Sequence, residues 1–146
     1  MCIIVLLLLS AGVVQPLSAQ DRVSDQKKAQ TALQDEVKQI GKDCPNTETT
    51  IEINSCIAEV ERKTKLHFEA FYESLRSLLV LGSEAANQLD SSQAQWEKYR
   101  KQACDAIDSF YSGGTIRPSA VTSCEIQLMR SRMQDLDALY SVVLHN

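Results

Sequence analysis

The sequence is short of the residues that make tight loops, strands and catalytic sites. Five glycines and three prolines in 146 residues fall almost entirely between apolar-periodic stretches, and no segment alternates apolar with polar residues as a half-buried strand would. Histidine is nearly missing: His67 and His145 lie far from any cysteine pair, and there is no C-x-x-C, so the usual zinc spacings are excluded. No G-x-S-x-G, H-E-x-x-H or phosphate-cradling glycine loop occurs. Basic residues are outnumbered, 15 against 19 acidic, for a net charge of −4. That balance argues against nucleic acid and against adhesion to anionic membranes, and it permits a basic partner. The expectation is a non-enzymatic protein without metal or cofactor.

Residues 1–19 lack charge altogether and are almost wholly apolar from Ile3 to Val14, ending Leu17-Ser18-Ala19 before Gln20. This reads as a secretory signal peptide cleaved near Ala19, its apolar run too short for a comfortable membrane span. The competing reading is an uncleaved anchor: no Lys or Arg precedes the run, and Leu17 is large for its place before the cut. No cysteine follows the run in lipobox fashion. Cleavage would leave no membrane span and would remove Cys2, so that five cysteines become four: Cys44, Cys56, Cys104 and Cys124. An even set in a small exported domain reads as two disulfides and a periplasmic or secreted location.

The remaining chain divides into residues 20–43, carrying a short helix, and a helical domain over 44–146. Ala29, Leu33, Val37 and Ile40 give the first helix one apolar side from Ser24 to Ile40, and Gly41 is placed to end it. Pro45 keeps Cys44 out of the helical region. Thr49 and Glu52 have capping-box spacing and open a long helix to about Leu81, with Ile53, Ile57, Val60, His67, Phe71, Leu75 and Leu78 on one face and Phe68, Tyr72 and Leu79 widening it. Gly82-Ser83 ends that helix and caps the next.

The stretch from Leu89 to Leu136 organises the rest. Trp96, Tyr99, Ala103, Ile107 and Phe110 recur at helical spacing before Gly113-Gly114. Val121, Cys124, Leu128, Leu136, Leu139 and Val143 recur after it, with Arg132 filling the one gap. The glycines supply left-handed conformations for a turn, Pro118 suits the start of a new helix, and either Ser119 or Thr122 can cap it. Cys104 and Cys124 stand nearly the same distance either side of the turn, which brings them level in a helix pair. The expected pairing is therefore Cys104–Cys124 with Cys44–Cys56, although four cysteines allow three pairings and sequence alone leaves the other two open. The expected fold is all-α: an antiparallel bundle of three long helices plus a short N-terminal helix, clipped by two disulfides.

These residues resemble the LprI-like lysozyme inhibitor family of small exported helical domains. Gln93, Trp96, Tyr99, Arg100 and Cys104 match its Q-x-x-W-x-x-(Y/F)-R-x-x-x-C block. Tyr111, Gly113 and Gly114 match a Y-x-G-G turn. Cys124, Leu128, Arg132 and Leu136 match the tail, and Cys44 and Cys56 the first cysteine pair. The likeness spans about residues 44–136. One part departs from it: Phe68-Glu69 stands where Leu-Asn is usual, while Tyr72 and Leu75 keep their places. The resemblance implies a binding protein whose partner is a lysozyme or another envelope protein. The alternative is a structural or envelope-stress periplasmic interaction domain with no action on lysozyme.

Within that frame Trp96, Tyr99 and Arg100 are either an interface cluster or a core contact, and Arg132 is a polar contact across the hairpin. Glu97, Asp105 and Asp108 read as a solvated face rather than an acid–base pair, and His67 as a partly buried core histidine. Tyr111, Ile116 and Arg117 at the turn are the candidate partner contacts.

Overall fold

The computed structural model describes residues 17–80 and 82–146, so the expected signal peptide, apart from its last three residues, lies outside the described residues. All regular structure among the described residues is helical: α1 (Ala19–Gln39), α2 (Thr50–Leu78), α3 (Glu84–Phe110), α4 (Arg117–Leu139) and a short α5 (Ser141–His145) that the sequence reading did not foresee.

Local chemistry explains most of the boundaries. Thr49 and Glu52 form the expected capping box: the Glu52 amide donates to Thr49 Oγ1 at 3.2 Å, and the Thr49 amide donates to Glu52 Oε2 at 3.0 Å. Ser83 caps α3 by accepting from the Ala86 amide. α2 stops at Leu78, short of Leu81, and Val80 turns left-handed at φ 66° ahead of Gly82. At the α3–α4 turn Gly113 takes φ 80°, whereas Gly114 is needed for space, since a Cβ there would lie 3.2 Å from the Tyr111 carbonyl oxygen. α4 starts earlier than expected, and neither Ser119 nor Thr122 caps it. Pro118 sits in its first turn and the Ser119 hydroxyl donates back to the Ile116 carbonyl.

Helix α1 is longer than expected, with 21 residues from a Ser18 cap, and its register differs. Ala29, Ala32 and Glu36 are buried, while Val37 and Ile40 are about half exposed. This face joins Phe68, Phe71, Leu75 and Leu78 of α2, Met129, Met133 and Leu136 of α4 and Leu144 of α5 in one core, to which α3 contributes Leu89. α4 lies between α2 and α3, so it carries two inward faces. The face read from the sequence, through Cys124, Leu128 and Arg132, meets α3. A second, through Ile126, Met129 and Met133, meets α2 and is the more buried. α3 barely touches α2. Two members of its expected apolar stripe are therefore on the surface, Tyr99 at 57% and Phe110 at 81% exposure, and so is Leu139 of α4.

Two disulfides close the chain on itself. Cys44–Cys56 ties the α1–α2 loop to α2 with Cα atoms 5.7 Å apart. Cys104–Cys124 ties α3 to α4 at 5.8 Å. Cys44 is outside the helical region, as Pro45 requires, but at φ 50° it is left-handed instead of extended.

Candidate functional site

The residues of the family-like block gather around one indole ring. Phe68 of α2 stacks on Trp96 with centroids 5.2 Å apart. The Arg100 and Arg132 guanidinium carbons lie 5.4 Å and 6.0 Å from the Trp96 ring centroid, within cation–π range. Both arginines are held from their far side. Arg100 donates to Glu97 at 2.7 Å and to Glu125 of α4 at 3.3 Å. Arg132 donates to Ser92 at 2.6 Å and to Gln93 Oε1 at 3.4 Å. Gln93 donates in turn to Glu97. Phe68, which occupies the place where Leu-Asn is usual in the resemblance, is thus a stacking partner of the motif tryptophan. Beside it the Tyr72 hydroxyl and the Arg76 guanidinium both donate to Asp90 of α3. Arg76 foremost, then Tyr72, holds the Asp90 carboxyl below the usual carboxylate range, while burial and then Asp90 push the Tyr72 hydroxyl up. Tyr99 stands apart from this cluster, on the surface.

The cluster joins α2, α3 and α4, so its first consequence is for stability. Trp96→Ala is expected to cost about 3 kcal/mol, the low end for a large aromatic because Trp96 is only partly buried. Urea unfolding would measure it. A lost binding activity at unchanged stability would instead move Trp96 to an interface.

The turn after α3 presents a small apolar tip. Phe110 is 81% exposed and meets Tyr111 edge-on at 5.0 Å, and Tyr111 and Ile116 are themselves more than a third exposed. Arg117 is engaged: its guanidinium donates twice to the Asp108 carboxylate, both at 2.6 Å, and it lowers the Asp108 pKa. A bidentate pair on the outside of the turn and Cys104–Cys124 below it hold the tip in shape. Asp105 is likewise paired, with Lys101, and Glu97 with Arg100, so none of the three α3 carboxylates stands free for acid–base work.

A further cluster escaped the sequence reading. Glu36, only 2% exposed, accepts from the Thr64 hydroxyl at 3.0 Å and from Arg130 Nε at 2.8 Å, and its other oxygen lies 2.6 Å from His67 Nδ1. Arg130 also makes a two-pronged contact with Asp43. Asp43, and after it Glu36, raises the Arg130 pKa against the opposing effect of burial. These side chains line a cleft of about 340 Å³ between α1, α2 and α4. His67 is therefore a half-exposed carboxylate partner, not an apolar-face core residue. The only sequence signal was the interruption of the apolar faces of α1 and α4 by one acid and one base. No group of three or more His, Cys, Asp or Glu side chains that could hold a metal ion occurs among the described residues, and no helix among them is long and apolar enough to cross a membrane.

The family model described as lysozyme inhibitor LprI matches residues 41–136, a span from the end of α1 to the buried Leu136 that includes all four paired cysteines. No curated protein and no solved structure matches the chain.

Proposed function

The chain belongs to the LprI family, and from that premise we propose that it is an exported, non-enzymatic protein that binds and inhibits a lysozyme through the tip between α3 and α4. The observation that carries this reading is the shape of the tip: an exposed Phe110–Tyr111–Ile116 group on a hairpin already closed by Cys104–Cys124. A pre-ordered projection loses little conformational freedom when it enters a cleft, and a chain of net charge −4 is steered favourably toward a basic enzyme. In this reading the leader is removed near Ala19, residues 20–43 add α1 to the family domain over 44–146, and α2, α3 and α4 run antiparallel. The Trp96 cluster keeps the hairpin in register, and Tyr111 and Ile116 make the contact. Arg117 either trades Asp108 for a carboxylate of the partner or acts by holding the tip.

Replacing Ile116 and Arg117 with Gly and Ser together is expected to weaken inhibition of cell-wall lysis at least tenfold, about 1.4 kcal/mol. The melting temperature should hardly move, because an exposed ion pair adds little to stability. Undiminished inhibition by the double variant would reduce the turn to a connector. Absence of inhibition by the parent would leave the alternative of an envelope interaction domain with a different partner.

A further inference from the structure

In a chain with 23% charged residues, the outward side of α3 carries none for six turns. Successive residues on a helix are 100° apart, and on this basis Gln95, Tyr99, Gln102, Ala103, Ala106 and Phe110 share one side, all exposed except the partly buried Ala103. The charges of α3 lie around the rest of the helix, many of them already paired within the chain: Arg100 with Glu97 and Glu125, Lys101 with Asp105, Asp108 with Arg117. A solvated helix face normally carries charge. This one instead presents two aromatic rings flanking two alanines.

The spacing of those four residues reads the same in both directions: four residues from Tyr99 to Ala103, three to Ala106, four to Phe110. A stripe unchanged by reversal is what a two-fold axis requires, because the same patch must then serve both sides of the contact. We propose that this face is a homodimer interface in which two α3 helices cross antiparallel about an axis between Ala103 and Ala106. The alanines let the helices approach, and Tyr99 of each copy packs on the partner's Phe110. Neutrality supports a second copy as the occupant, since each copy offers an uncharged surface to an uncharged surface and no unpaired charge is desolvated. The contact is modest. A helix face of about 23 residues, roughly 34 Å long and 10 Å wide, gives on the order of 350 Å² per partner, which places the dimer at the weak end of specific interfaces.

Sedimentation equilibrium on the mature, oxidised protein, up to about 500 μM to suit so small an interface, tests the idea. The parent should show a reversible monomer–dimer equilibrium. Phe110→Glu should abolish it, and adding Tyr99→Lys in the same chain should restore it, because each introduced lysine then faces the glutamate introduced in the other copy. Both variants alter exposed side chains and should melt like the parent at low concentration. A parent that stays monomeric throughout, a dimer indifferent to Phe110→Glu, or no recovery in the double variant would overturn the proposal. Inhibition assays run below the dimerisation range keep this result separate from the lysozyme reading.

Discussion

Reduction of both disulfides is expected to remove about 6 kcal/mol of stability, roughly 3 from each closure in the chain-entropy account. The loops are similar in size, with sequence separations of 12 and 20, and the dependence on loop length is logarithmic, so neither bond dominates. Against a typical domain stability of 5–15 kcal/mol, that loss is enough to leave the protein unfolded or barely folded at 37 °C. Thermal melts with and without reductant would measure it. Mass spectrometry of protein from an oxidising compartment should find no free thiol in the mature chain. A melting temperature unmoved by full reduction would show that the helix packing alone suffices.

Arg130→Met is expected to be the most damaging single exchange, at about 3–5 kcal/mol, the range for removing one partner of a buried ion pair. The methionine would fill much of the space, so the loss would come from charge. Glu36 would remain buried with Thr64 and His67 but without its guanidinium, and Asp43 would lose both of its contacts to Arg130. Adding Glu36→Gln should restore a good part of the loss, since the amide carries no charge to strand. Denaturant unfolding of the four members of this cycle gives the coupling directly. If the two single exchanges proved additive, Arg130 would be acting through packing and not through Glu36.

Where the sequence was read well, the controlling interactions were local. The capping box at Thr49 and Glu52 spans three residues, Ser83 follows a glycine, and the cysteines flank their turn symmetrically. The misreadings share another cause. Glu36 was counted as solvent-facing because nothing near it in the chain offers a cation; its partner is 94 residues away. Val37 and Ile40 were then placed inward on hydrophobicity, although α1 seats itself on two alanines and that ion pair. In α4 the periodicity was real, but two stripes share the helix. The one carrying Leu128 and Arg132 was found, and the more deeply buried one carrying Met129 and Met133 was missed, because a sequence does not say on how many sides a helix has neighbours. Tyr99 and Phe110 failed for the complementary reason: helical spacing marks a face without marking what covers it. For the candidate site, the turn residues were legible as a protrusion. Phe110, the most exposed aromatic at the tip, was hidden among those assigned to the core.

The seating of α1 also sets an order of events. Gln26 and Gln30 donate to the carbonyls of Val143, Leu144 and Asn146, and Glu36 waits for Arg130. The first helix to leave the ribosome, and the first to emerge on the far side of a membrane if the chain is threaded N-terminus first, is thus bound to groups that arrive last. The α3–α4 hairpin can close over about 20 residues while α1 is still without a seat. Contacts so distant in sequence form late and slowly. Until they do, Ala29, Ala32 and the face of α2 they cover are open to whatever else is present.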